Sequence, residues 1–533
     1  MDKDAGSALL SFVRRHAAAI AIASIFALYF LTRLVNLRGV PVFIDEAIYI
    51  KWAHQAQHGN LWASLLWDGK PPLHSWMMVP FLGAVKDQLL AGRLNSVFFG
   101  SLTTLGLFLT GRELRNWKLG AAAAFLYVAC PFALWYDRLA IAESMMLALF
   151  VFAVFFAVKA AKTVNPRWLI GTGIATGLAL LTKGTATLLY PIVFFAYFVR
   201  GPAEKGLEKS KPLLRWLGAS GLALLGGFAM LNLERLSPVW AQRSHFITTR
   251  TKGIVAALAT PLRTFLSFNN SILKNLYAWL TPVLLLLAVA GLVLSLIKRW
   301  RPGYFLWAWF VIGFAVISLV GKFEWARFYL VLVPPLLLAA AYALYELGAY
   351  MARAWSRAPG RKLLPSVSIA VVAALLMVAA MPAGSMMAGM VTAKTGEAEY
   401  LKGRCAGTGM KETAAMLSEA ADHAKINVVV NDYFIQLALE MYMGNRPNVN
   451  VITLELEYRN GFSKLLEQTL DDAASKGPTY LVANFTTTTP PPGWNLVTLK
   501  TFDKDDGHQR SAMLVTEVPD DSPMNAGMNR QPL

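Results

Sequence analysis

The chain has 533 residues, of which 56% are hydrophobic and only 15% charged, too little polar surface for a soluble globule of this length. Its formal charge of +18 could point to nucleic acid, but the Lys and Arg residues fall in short clusters between apolar runs and no nucleic-acid-binding motif accompanies them. Apolar runs of roughly 18 to 22 residues, enough to cross a bilayer core at about 1.5 Å per residue, make it a polytopic membrane protein.

In chain order, Arg14, Arg15 and His16 precede an apolar stretch from Ala17 to Val35 with no small-residue cleavage pattern behind it, so an uncleaved first span is expected. Further spans are expected at 94–111, 118–135, 139–159, 167–182, 185–200, 213–231, 276–297, 303–320, 327–347 and 363–385, eleven in all. With the N-terminus inside, each cytoplasmic link carries Lys or Arg, among them Arg112, Arg115, Lys159, Lys162, Lys298, Arg299, Arg353 and Arg361, which supports the orientation. The opposite face, periplasmic in a bacterium, then receives the loop 36–93, the turn Trp135-Tyr136-Asp137-Arg138, the turn at Lys183, the loop from about Asn232 to Lys274 and the segment Gly321–Arg327.

Beyond the last span the composition turns polar. Ile426–Val430, Val449–Leu456, Thr479–Asn484 and Leu496–Thr501 read as strands, and Lys411–Ala424, Tyr433–Tyr442 and Phe462–Lys476 have helical periodicity. The expected fold is therefore an all-α membrane domain (1–388) followed by a small α/β extracytoplasmic domain (389–519) and a disordered tail (520–533). Two cysteines, Cys130 and Cys405, make no disulfide framework.

The outer loop from Phe43 to Met78 is long and aromatic. Asp45 and Glu46 follow the first span by about ten residues, where a carboxylate could act as general base toward an acceptor hydroxyl, or could simply cap a helix beginning near Ala47. Lys70 stands before Pro71-Pro72, whose fixed φ shapes a turn carrying one cation that could meet a phosphate or merely anchor the loop at the interface. Asp137, Arg138 and Glu143 gather at a span end. Glu143, inside an apolar helix entry, is a functional candidate, with an Arg138–Glu143 ion pair as the plain structural alternative. Lys183, Lys322 and Arg327 add cations on the side that the positive-inside bias should deplete. His54 and His58 could share a helix face, but no further ligand completes a zinc set.

Taken together, the order of these motifs resembles the GT-C glycosyltransferase superfamily, in the family 39 branch of protein O-mannosyltransferases and lipid A aminoarabinose transferases. The carriers of the resemblance are Asp45-Glu46-Ala47-Ile48-Tyr49, Lys70-Pro71-Pro72-Leu73, Arg93 to Gly100, Pro131 to Glu143, Leu181 to Gly184 and Arg327 to Pro335. The pattern departs in having Glu143 where Asp is common, an added Asp137, and Gly69 where aminoarabinose transferases with a structural zinc have Glu.

The resemblance implies an inner- or plasma-membrane enzyme, a hexosyl or pentosyl transferase that moves a sugar from a polyprenyl-phosphate donor to a lipid, protein or glycan acceptor on the outer face, with inversion. It implies Asp45, Glu46 and Glu143 as catalytic residues, Asp137 as a candidate second acid, and Lys70, Arg138, Lys183, Lys322 and Arg327 as the binders of the donor phosphate. No resident metal or cofactor is expected, although a divalent cation bridging the donor phosphate stays open. The competing readings are a lipid or sugar transporter, which would more often show internal repeats and broken helices, and an inactive relative that binds envelope polymers.

Overall fold

In a computed structural model, the described residues are 3–163, 165–200, 210–241, 272–320, 325–356, 398–403, 405–444, 446–454, 462–485, 494, 496–504 and 512–518. The expected span at 363–385, most of the loop from about Asn232 to Lys274, the Thr486–Pro492 segment, the tail from 520 and Lys322 lie outside them. Two compact units result. The first is Met1–Leu37, Ala56–Met77 and Arg93–Ala388; the second is Arg38–Gln55, Met78–Gly92 and Gly389–Leu533.

The first unit is helical. Its elements include α1 (Lys3–Leu34), α3 (Ala63–Asp68), α5 (Gln88–Leu114, whose first residues belong to the second unit), α6 (Trp117–Ala129), α7 (Pro131–Tyr136), α8 (Ala142–Thr163), α9 (Pro166–Leu180), α10 (Leu189–Phe195) and α11 (Ser210–Leu231). They are followed by α12 (Ile272–Leu280), α13 (Pro282–Ile297), α14 (Arg301–Val320) and α15 (Val333–Ser356). Short helices α2 (Ile44–Gln57) and α4 (Leu73–Ala84) cross between the units. Ten of the eleven expected spans coincide with helix. Among the described residues six helices are long and apolar enough to cross a bilayer, or seven if the pair α12 and α13 counts as one.

The differences have local causes. The expected single span at 276–297 is bent by 112° between α12 and α13. Pro282 has no N–H for the helix ladder and disfavours helical geometry at the residue before it, and Thr281 takes φ +68°. The run at 185–200 is one α-turn segment between two 3₁₀ segments, Gly184–Leu188 and Ala196–Val199.

Small residues bring helices together where lipid offers no hydrophobic drive for association. A Cβ on Gly291 of α13 would lie 1.8 Å from the Ala339 carbonyl oxygen of α15, and one on Gly173 of α9 would lie 2.6 Å from the Ala223 carbonyl oxygen of α11. At one end of α8 and its neighbours, Glu113 takes Lys159 at 2.8 Å and Lys162 at 3.7 Å, and Glu346 takes Lys298 and, at 3.8 Å, Arg115. The basic links thus contain two acids that tie neighbouring helices.

In the second unit a five-stranded sheet runs in the order β2 (Val449–Thr453), β1 (Ile426–Val430), β3 (Thr479–Phe485), β5 (Ala512–Val518), β4 (Val497–Asp503). β1 is parallel to β2 and β3, and β5 is antiparallel to β3 and β4. Four of these strands coincide with the expected ones; β5 does not appear among them. Helices α16 (Met410–His423), α17 (Tyr433–Met443) and α18 (Lys464–Ala474) accompany the sheet. Leu466, Leu470 and Ala473 of α18 pack on Val429, Leu481, Ala483 and Val518, and every residue of β1 is buried, which fits a central strand covered on both faces.

Candidate active site

Three buried arginines gather around the end of α1 and the residues that follow it. Arg33 meets the Asp137 carboxylate at 3.3 Å and donates to the Val128 carbonyl at 2.6 Å; Arg93 donates to the Leu37 carbonyl at 2.8 Å; Arg138 donates to the carbonyls of Val35 at 2.9 Å and Asn36 at 2.8 Å. Val35, Asn36 and Leu37 follow Leu34, the last residue of α1, so Arg93 and Arg138 supply donors to backbone carbonyls just beyond the helix. Asp137 also accepts from the Tyr127 hydroxyl at 2.8 Å and is 1% exposed. The candidate second acid is thus held in an enclosed ion pair, and Arg138 is engaged with backbone oxygens. Sequence reasoning missed Arg33 as the partner of Asp137, because 104 residues separate them.

A second cluster lies where three chain segments converge. Glu143 sits in the first turn of α8, where the helix N-terminus favours negative charge, and is 1% exposed. The Lys183 ammonium, from the turn after α9, forms an ion pair with Glu143 Oε1, and Arg327 Nε, from the 3₁₀ segment Ala326–Leu332, stands 3.7 Å from the same oxygen. Lys183 and Arg327 both lie over aromatic rings, Lys183 at 5.1 Å from the Phe328 centroid and Arg327 at 4.8 Å from that of Trp325. The expected Arg138–Glu143 alternative gives way to these partners.

The Lys70 turn joins this cluster through the backbone: Leu73 N donates to the Leu181 carbonyl at 3.1 Å, linking the Lys-Pro-Pro-Leu and Leu-Thr-Lys-Gly segments. Gly69 has φ +60° and closes α3, with Gly69 N bonded to Leu65 O and Lys70 N to Ser64 O. That left-handed cap is the physical reason for Gly at this position. Lys70 pairs with Asp68 at 3.0 Å, and both side chains are about four-fifths buried. His74, fully buried just after the prolines, was not singled out from the sequence. Burial pushes its imidazole down to about 4, against the opposing pull of Glu143, so it is neutral at physiological pH while it senses Glu143, Lys183 and Lys70. The proximity of His74 to a Lys-Pro-Pro motif was its only sequence signal.

Asp45 and Glu46 open α2 and belong to the second unit. Glu46 is buried and its Oε2 accepts from Phe43 N at 2.9 Å, so this acid turns back to cap its own helix. Asp45 is half-buried beside it. The structure therefore brings Lys70, Glu143, Lys183 and Arg327 together in the first unit, adds His74, and assigns Asp137, Arg138 and Glu46 local structural contacts. Among the described residues no group of three His, Cys, Asp or Glu side chains could hold a metal ion.

With apolar helices of spanning length and a small mixed sheet, the chain is a multi-pass membrane protein with the fold of GT-C glycosyltransferases. Residues 69–228 match the family model described as dolichyl-phosphate-mannose-protein mannosyltransferase. ArnT from Cupriavidus metallidurans in the apo state is similar at a TM-score of 0.52 and 14% identity, over 94% of this chain and 98% of that one. The same protein bound to undecaprenyl phosphate gives 0.52 and 14%, over 93% and 97%. The archaeal oligosaccharyltransferase AglB from Archaeoglobus fulgidus, in complex with an inhibitory peptide and a dolichol-phosphate, gives 0.53 and 14%, over 89% and 70%. No curated protein matches the sequence.

Proposed function

We propose that the protein is an integral membrane glycosyltransferase that moves a hexosyl or pentosyl group from a polyprenyl-phosphate carrier to an acceptor on the outer, periplasmic face of the inner membrane, with inversion. The observation that carries this reading is the convergence of Lys183 and Arg327 on buried Glu143, with Lys70 tied to the same place through the Leu73–Leu181 bond. The three cations outnumber Glu143 and Asp68, and so the cluster favours an added anion. In the reaction a lipid phosphate departs with its negative charge, and cations fixed beforehand stabilise that charge as it develops without having to reorganise. Lys70, Lys183, Arg327 and, outside the described residues, Lys322 serve as its binders; Arg138 contributes by holding the residues that follow α1.

Glu143 in this scheme orients the two cations, and Asp45 is the general base that takes the proton from an acceptor hydroxyl. Polyprenyl-phosphate dependence is supported by the matched family model and by the lipid phosphates present in the two similar proteins. The facing of the site is supported by α8 itself. Glu143 and Lys159 lie sixteen residues apart on one helix, about 24 Å at 1.5 Å per residue, so the acid of the cluster and the basic link occupy opposite ends of a span.

Asp45→Asn is expected to abolish transfer from a radiolabelled polyprenyl-phosphate sugar in membranes while leaving expression normal. Near-wild-type turnover in that variant removes Asp45 from the mechanism. The break at Thr281 favours a second reading, a lipid or sugar transporter. Carrier movement across liposomes without any glycosyl transfer would select it.

A further inference from the structure

The segment that carries Asp45 does not stand alone in its unit. Phe43 forms an antiparallel bridge with Ala406; Ile44 N donates to the Cys405 carbonyl at 3.0 Å and Gly407 N donates to the Val42 carbonyl at 2.7 Å. The two strips touch so closely that a Cβ on Gly407 would lie 2.5 Å from the Val42 oxygen. Val42, Phe43 and Ala406 are all buried, and the Phe43 ring packs against Tyr400 at 4.5 Å. On its other side the 405–407 strip is held by β4 and the residue after it. A Cβ on Gly409, at φ +84°, would meet the Phe502 ring, and the Lys504 ammonium donates to the Ala406 carbonyl at 2.6 Å. Further along α2, Lys51 pairs with Glu440 of α17 at 2.5 Å.

Lys504 is 1% exposed, and burial of an ammonium costs several kcal/mol unless its surroundings compensate; Cys405 and Asp432 favour its charge here. Apolar packing would seat the strip as well. What a donor at this point adds is a fixed position for Ala406, and through the paired strips a fixed position for Phe43, two residues before Asp45.

We propose that Lys504 is a positioning residue, which with Gly407 makes the α/β unit the seat of the Asp45 segment. Its contribution to catalysis rests on the reading of Asp45 as general base; the clasp itself does not. The role belongs to the 400s and to β4, far from the motif in sequence, which gives the C-terminal unit a task inside the reaction.

The experiment is hydrogen exchange on the full-length protein in nanodiscs, comparing wild type with Lys504→Met, Lys504→Arg and Gly407→Ala. Lys504→Met and Gly407→Ala should each speed exchange at residues 42–46 by about tenfold, the factor that goes with one lost hydrogen bond. Exchange over β1 and β3 should stay unchanged. Lys504→Arg, which keeps a donor for Ala406, should restore protection at 42–46. Unchanged exchange at 42–46 in the first two variants, acceleration spread evenly over the sheet, or no rescue by Arg overturns the proposal. Turnover is measured on the same preparations with a radiolabelled polyprenyl-phosphate sugar. Lys504→Met is expected to lower kcat at least about tenfold with KM for the donor unchanged. If Asp45→Asn keeps its turnover, the base assignment fails while the exchange result still decides the clasp.

Discussion

Two buried carboxylates six residues apart behave differently, and the difference lies in their partners. Asp137 meets Arg33 and the Tyr127 hydroxyl inside the protein, both charged side chains at 2% exposure or less. Asp137→Asn leaves Arg33 enclosed without its counter-charge, a loss of about 3 to 5 kcal/mol for a buried pair. The variant is expected to show a clearly lower thermal midpoint in detergent, with turnover per folded molecule close to wild type. Glu143 instead holds two cations whose side chains stay 12% and 17% exposed. Glu143→Gln should keep most of the stability and lose turnover by about two orders of magnitude or more, the usual scale for removing one element of electrostatic preorganisation. Donor-dependent rate and thermal midpoint, measured side by side, separate the two roles, and equal effects on both in either variant would contradict the assignment. The sequence presents Asp137 and Glu143 as equivalent candidates. Only the arrival of Arg33 from the first span, and of Lys183 and Arg327 from later ones, distinguishes them.

Helix packing at element scale turns on small residues that periodicity does not reveal. Gly291 lies in a uniformly apolar helix, where any aliphatic side chain would satisfy the hydropathy pattern. Contact with the Ala339 backbone makes Gly necessary: Gly291→Val must push α13 from α15 or displace a carbonyl, at a cost of about 1 to 3 kcal/mol or more. A reduced thermal midpoint together with a reduced yield of folded protein is the expected result, whereas Gly218→Val, at a site with no atom within 4 Å of the added Cβ, should be silent. Helix positions were legible because runs of apolar residues report burial in lipid or protein alike. Their lengths and continuity were not. The bend at Thr281 follows from Pro282, a signal present in the sequence but subordinate there to an unbroken apolar run. Strand β5 has a short apolar run, Met513-Leu514-Val515, and joins the sheet between β3 and β4, antiparallel to both, a pairing set by tertiary contact.

At the scale of the whole molecule, the second unit has a measurable electrostatic signature. Burial lowers the Lys504 ammonium from an ordinary 10.5 to about 8, with Cys405 and Asp432 opposing the shift. Between these values the unfolded chain binds a proton that the folded chain has released, so stability rises with pH from about 8 toward 10.5 and the penalty is fully present below 8. The shift corresponds to at most about 3 kcal/mol. The thermal midpoint of the α/β unit should therefore climb between pH 8 and 10 in the full-length protein and lose that component in Lys504→Met. A wild-type profile that falls or stays level with the variant's across this window would refute the assignment.

The sequence by itself determined the membrane class, the positions of ten helical runs, most of the sheet and the list of candidate charges, because hydropathy and period are local properties of a chain. Tertiary structure decided which partners several of these charges meet. A buried ion is stable only beside the partner that offsets its desolvation, and here those partners come from segments far apart in the chain: Arg33 for Asp137, Lys183 and Arg327 for Glu143, Lys504 for the strip that holds Phe43.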